Sequence, residues 1–329
     1  MANLLWIQAA CCGGETASLL NSDHPHLQAA LSSLDMTFLG HTYFHDRSLG
    51  APEKVLEDCA NGRIHVDLLV IEGAAYLRGR YRGGVGDLIR AVAGSAGSTV
   101  AVGTCASFGG IMACGKNPMA ATGLQFCRDQ AGGLLGADYR SASGLPVVNV
   151  PGCPAHADWI VGTLWALRSG RVRREDLDRY HRPRAFYGKL AHHACPRNEY
   201  YEFKASAAAY SQQGCLFENL GCKGTLCESD CNERLWLART GSCTRGGFPC
   251  LSCTSPRFPD GFLPFFETAK IGGIPTSLPL DVPKAWYVGI SGLSKLACPE
   301  RLRQNAVSFK PLRTERKEPV GDGPQDDRV

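Results

Sequence analysis

The features this sequence lacks narrow its reading first. No apolar run approaches the ~18 residues that a bilayer-spanning helix needs. The stretch from Trp159 to Leu167 is too short and reads as a core helix. The opening MANLLWIQAACC has neither a basic n-region nor a twin-arginine pair, so no export signal is expected. These absences give the expectation of a cytoplasmic chain that reaches a membrane only peripherally, through a partner. Charge of one sign is also missing. Lys and Arg number 35 against 31 Asp and Glu, a formal net charge of +4 spread along the chain, which excludes a nucleic-acid-binding reading. The glycine pairs near Gly83 and Gly109 lack the G-x-G-x-x-G pattern, so no phosphate-cradling loop is predicted. No nucleophile–base arrangement and no internal repeat stands out.

The composition is that of an ordinary soluble protein, 44% hydrophobic and 20% charged over 329 residues, long enough for two domains. Cysteine is the exception. Sixteen cysteines are too few per residue for a small disulfide scaffold. In a large chain without a signal peptide, clustered thiols point to metal. Cys59, Cys127 and Cys298 stand alone and read as small hydrophobes.

The first half alternates apolar runs with helical patterns. Asn3–Ala10, Val66–Ile71, Ser98–Gly103 and Pro146–Val150 read as strands, with Glu72 at the end of the second. Helical stretches lie around Pro52–Cys59, Gly86–Ala93 and Ala155–Arg168. Strands alternating with helices imply a parallel, doubly wound α/β sheet. Three strands run into loops bearing cysteine and glycine: Cys11-Cys12-Gly13-Gly14, Gly103-Thr104-Cys105 and Gly152-Cys153-Pro154. Ligands of such sheets bind beyond the carboxyl ends of the strands, so these loops can converge. From about Pro183 the alternation stops and cysteine, glycine and proline become dense, the texture of a small core stapled by metal. The expected organisation is an α/β domain over 1–182, a cysteine-rich domain over 183–309 and a mobile tail over 310–329.

Three donor groups follow. The first is Cys12, Cys105 and Cys153, with Cys11 and Glu15 competing for a fourth place, since an iron–sulfur cube takes four ligands. Glu15 stands three residues after Cys12, the C-x-x-C spacing, but its carboxylate is a harder donor than a thiolate and could instead cap the helix that follows. The second is His192, Cys195, Cys215 and Cys222, with His193 as the alternative imidazole. The third is Cys231, Cys243, Cys250 and Cys253, anchored by the C-x-x-C of FPCLSC. Four thiolates hold either a 4Fe–4S cube or a structural zinc. Cys114 and Cys227 are left without a role.

The segments LLWIQAACCGG, VDLLVIEGA, VGTCASFGGI, VNVPGCPAHADWIVGTL, FYGKLAHHACPR, GCLFENLGCKG, SDCNERLW and GGFPCLSC carry a resemblance. The chain resembles the small, electron-transfer subunit of nickel–iron hydrogenases over nearly its full length. The resemblance implies a flavodoxin-like domain holding a proximal cluster, followed by an iron–sulfur domain with medial and distal clusters. Cys12, Cys105 and Cys153 match proximal ligands; His192, Cys195, Cys215 and Cys222 match distal ones; Cys231, Cys250 and Cys253 match medial ones. It implies a partner large subunit that bears the nickel–iron site, a dimer of such heterodimers, and an external electron acceptor.

This chain departs from the family pattern in three ways. Glu15 replaces the second cysteine of the N-terminal pair, and the Cys11-Cys12 doublet looks like the cluster-bearing subunit of respiratory complex I, where both cysteines bind iron. Cys243 stands where many relatives have proline, which predicts 4Fe–4S at the medial place, and so three cubes in all. The missing twin-arginine leader fits the oxygen-insensitive uptake enzymes of the actinobacterial type. A complex-I-like module with one cluster and a zinc-stabilised scaffold are the competing readings.

Overall fold

The computed structural model describes residues 2–23, 25–41, 50–78, 84–210, 212–278 and 283–305. Five strands form one all-parallel sheet: β1 (Ala2–Gln8), β2 (Met36–Gly40), β3 (Leu68–Glu72), β4 (Ser98–Val102) and β5 (Val148–Val150). Their order is β2-β1-β3-β4-β5, the flavodoxin-like winding with its switch point between β1 and β3. The helices of this half are α1 (Gly14–Leu20), α2 (Leu27–Leu34), α3 (Pro52–Ala60), α4 (Val85–Ala93), α5 (Gly103–Phe108) and α6 (Ala157–Arg168).

The strands are apolar throughout because both faces are covered. Leu5, Ile7, Leu69, Ile71 and Ala101 pack on one side against Val55 of α3 and Ile89 and Val92 of α4. Leu4, Trp6, Val70, Val100 and Val102 pack on the other against Leu19 of α1, Ala30 of α2 and Trp159, Ile160 and Leu164 of α6. The period of two along each strand sorts its side chains between these layers.

Some elements of the fold escape the sequence reading. β2 is an edge strand with three of its five residues only half buried, so its apolar pattern is weak, and α2 precedes it. Glu72 belongs to β3 itself, and Gly103 opens α5. Beyond Arg184 the chain runs through short turns of helix until α7 (Lys284–Leu296) and α8 (Glu300–Asn305). The 13-residue α7 was unexpected in a region read as irregular. The tail expected over 310–329 lies outside the described residues.

The halves are tied together by side chains. Thr104 Oγ1 donates to the Cys253 carbonyl at 2.5 Å, Trp159 Nε1 donates to Asp230 Oδ1 at 2.6 Å, and Arg128 pairs with Asp260 at 2.5 Å. Among the described residues, no helix is long and apolar enough to cross a membrane.

Candidate metal centres

The first donor group gathers at the carboxyl edge of the sheet. After β1 and β3 the chain closes an antiparallel bridge between Ala10 and Ala74. Gly73 makes this possible: its φ is +94°, and a Cβ there would meet the Ala10 carbonyl at 2.6 Å, so glycine is required twice over. The bridge fixes the Cys11-Cys12 loop at the switch point, beside Cys105 in the first turn of α5 and Cys153 after β5. Burial pushes the Cys153 thiol up to about 12, with Cys105, Glu15 and Cys12 adding to it. Burial also raises Cys105, against amide hydrogen bonds from Met112 and Ile111, with Glu15 and Cys12 again contributing. These four groups therefore share one neighbourhood. Cys11, also raised by burial, packs its Cβ against Gly73, on the β3 side.

Glu15 does not cap its helix. That expectation is corrected by Glu72, whose fully buried carboxylate closes α1 from the end of β3. Oε1 of Glu72 accepts from the amides of Glu15 and Thr16 at 3.2 and 3.4 Å. Its Oε2 accepts from Thr16 Oγ1, Trp6 Nε1 and Gln8 Nε2 at 2.5, 3.2 and 3.2 Å. The first-turn amides point at the strand end, where a carboxylate meets the positive end of the helix. The Glu15 side chain turns the other way. Its Oε2 accepts from the Ala155 amide at 2.6 Å, and its carboxylate lies over Gly103, whose φ of +85° and missing Cβ leave the room. It thus sits between the Cys105 and Cys153 loops, where burial lifts it to about 8.

The second group is brought together around a cavity lined by His192, Cys195, Cys215 and Cys222. His193 is exposed and does not line it. Amides of Arg197, Phe217 and Cys250 each donate to a sulfur at 3.4 Å, those of Cys195, Cys215 and Cys222 respectively. Burial raises Cys222 to about 11 and Cys215 far above its usual value. Burial lowers His192, and His193 and Lys204 add to this. Its ring is therefore neutral, the state that binds metal, and Tyr201 holds it edge-on at 4.4 Å.

In the third group Cys250 is buried, Cys231 and Cys253 are half buried and Cys243 is exposed. Burial and then Cys227, Cys231 and Cys243 raise Cys253, while an amide hydrogen bond from Cys153 opposes them. Burial lifts Cys231 to about 12, against a hydrogen bond from Ser229 Oγ at 3.3 Å. Burial likewise raises Cys243, and Cys227 adds to it. The Ser252 amide donates to Cys250 Sγ at 3.5 Å. Cys227, left without a role by its sequence, lies inside this group against Cys250. Nothing in its spacing signalled that. Cys114 is exposed and outside all three groups. Cys59 and Cys298 are buried among apolar neighbours, as expected, while Cys127 is half buried.

These donors fit iron–sulfur clusters. Burial raises the thiols of Cys105, Cys153, Cys215, Cys222, Cys231, Cys243 and Cys253, which give up the proton when a metal takes its place, and backbone amides stand ready to hydrogen-bond the sulfurs. The doubly wound sheet with thiols on three edge loops, joined to a buried run of further thiols, defines the class: an electron-transfer protein of the iron–sulfur kind. Residues 12–167 match the family described as NADH ubiquinone oxidoreductase, 20 Kd subunit, and residues 187–266 match the C-terminal family of the NiFe/NiFeSe hydrogenase small subunit. The periplasmic NiFeSe hydrogenase small subunit of Desulfomicrobium baculatum is 34% identical over 293 residues, covering 80% of this chain and 87% of that one. A hydrogenase small subunit of Methanosarcina mazei is 32% identical over 305 residues, 82% of this chain and 77% of its own. The solved actinobacterial-type NiFe-hydrogenase from Ralstonia eutropha matches with a TM-score of 0.73 at 27% identity, covering 91% of this chain and 92% of that chain. The chain belongs to the small subunits of nickel–iron hydrogenases, which work in complex with a large subunit.

Proposed function

We propose that this chain relays electrons from dihydrogen oxidation on its large subunit through three 4Fe–4S clusters to an external acceptor. Iron–sulfur clusters supply one-electron redox chemistry. This chain's residues hold them, exclude water and set their order. Cys12, Cys105, Cys153 and Glu15 would hold the proximal cluster; Cys231, Cys243, Cys250 and Cys253 the medial; His192, Cys195, Cys215 and Cys222 the distal. Glu15 is preferred to Cys11 because its carboxylate lies between the Cys105 and Cys153 loops, whereas Cys11 packs toward Gly73.

One observation carries the order. Thr104, next to Cys105, donates to the Cys253 carbonyl, and the Cys250 amide donates to Cys222 Sγ. Each pair runs from one donor group to the next, a bonded route from proximal to medial to distal. Among the described residues no three His, Cys, Asp or Glu side chains can share a single ion. A tetrahedral zinc needs four donors around one ion, whereas a cube spreads its ligands over four irons. The complex-I-like reading draws support from the Cys11-Cys12 doublet, but it leaves the C-terminal donors unused.

Anaerobic purification with the large subunit, followed by iron and sulfide analysis, tests this. About twelve irons are expected, by four per cube. A count near four would favour the single-cluster module, and zinc without sulfide would overturn both. We further assign the complex to the cytoplasm as a dimer of heterodimers, which light scattering and cell fractionation check.

A further inference from the structure

A lysine lies buried beside the second donor group. Lys204 follows the short helix Asn198–Glu202 and is 6% exposed. Its φ is +54°, in the left-handed region that a lysine rarely adopts. Lysine is almost never buried unless its charge is compensated. Here the compensation is built in. Nζ stands 4.0 Å from the ring centroid of Tyr201 and 4.8 Å from that of Tyr287, so two aromatic faces receive the cation. Burial lowers the lysine from its usual 10.5; Glu218, Cys215 and Glu202 oppose this, and Lys295 adds to it. Glu218 is itself fixed, accepting from Tyr287 OH at 2.9 Å and from Ser206 Oγ at 2.8 Å. The same Tyr201 ring meets His192 edge-on, with centroids 4.4 Å apart, so the ammonium lies one ring away from the imidazole.

We propose that Lys204 is a positioning residue for the distal cluster: its ammonium places a fixed positive charge one ring from His192 and raises the reduction potential of that cluster. This inference rests on the ligand reading above. Reduction adds negative charge to a cluster, so a fixed cation nearby stabilises the reduced form more than the oxidised one. The charge is buried, where solvent and salt screen it little. The neutral imidazole of His192 in place of a thiolate makes the cluster less negative and acts in the same direction. Ligand and lysine together make the outer station a better electron acceptor than thiolates alone would.

The test is a redox titration of the full complex, followed by low-temperature spin resonance. Lys204→Met keeps most of the side chain and removes the charge. The reduced-to-oxidised ratio of its distal cluster, read at the wild-type midpoint, should fall about tenfold, the effect of a unit charge roughly 10 Å away at an effective dielectric constant of about 20. The proximal and medial clusters should titrate as before. Lys204→Arg keeps the cation and should titrate close to wild type. Glu218→Gln removes the facing negative charge and should move the distal ratio the opposite way, upward, and by less, because Glu218 is half exposed and screened by solvent. An unshifted distal midpoint in the methionine variant overturns the proposal, as does an arginine variant that shifts as far as methionine. Should the methionine variant lose its distal cluster, the sign of the Glu218→Gln shift decides alone: upward supports the proposal, and downward or absent overturns it. Absence of a distal cluster from the wild-type complex would instead sink the ligand reading itself.

Discussion

At the scale of single residues, the site is governed by carboxylates as much as by thiols. Glu72 supplies one end of α1 with its missing acceptors, which frees Glu15 to reach across to Ala155. Glu15→Ala should therefore change the proximal spin-resonance signal and leave the other two alone; an unaltered spectrum removes Glu15 from the ligand set. Cys243→Pro should convert the medial cluster to a three-iron form, lowering the iron count by one; four irons remaining there would point to another fourth ligand. His181 supplies a pH prediction. Burial, with Arg174 and Arg140 adding to it and Asp178 opposing, lowers it from 6.5 to about 4. Above pH 6.5 both folded and unfolded chains leave it neutral. Below that value the unfolded chain takes up a proton that the folded one refuses until about pH 4, so stability should fall across this window. His181 has φ +60°, which asparagine tolerates. His181→Asn should flatten the pH dependence of the melting temperature between these values; an equally steep profile removes His181 as its source. The cysteine groups were legible because their spacing is chemical. The role of Glu72 and the place of Cys227 were not, because each depends on a partner more than twenty residues away.

At the scale of elements, α5 is the short helix on which most depends. Its first turn carries Thr104, which is 2% exposed, donates to the Cys253 carbonyl at 2.5 Å and accepts from the Gly152 amide at 3.0 Å. One hydroxyl thus joins three loops bearing candidate ligands. Thr104→Val keeps the shape and breaks both bonds. It should destabilise the chain by about 2 kcal/mol, ~1 for each hydrogen bond, seen as a lowered denaturant midpoint. A change below a few tenths would mean that the hydroxyl is dispensable. The sheet strands β1, β3 and β4 could be read from the sequence because they are buried on both faces and therefore continuously apolar. The edge strand β2 and the helix α7 could not. The first is half exposed, and the second is surrounded by glycine and proline that mask its period, with Trp286, Val288, Leu293 and Leu296 left exposed.

At the scale of the whole molecule, the carboxyl edge of the sheet should face the large subunit. Ile111 and Met112, in the turn that follows α5 and beside Cys105, are apolar and exposed at 48% and 38%. Ile111→Glu puts a charge into that face and should reduce co-purification of the large subunit without lowering the iron content of the free small chain; undiminished pairing would move the interface elsewhere. Cys250 occupies a double position in the assembled chain. Its sulfur belongs to one donor group, while its amide reaches Cys222 in the next. A backbone movement at Cys250 shifts its own sulfur and the hydrogen bond on Cys222 together. On the proposed ligand sets, a substitution that moves this stretch of backbone should therefore be felt at both groups, and changes there should arise in pairs.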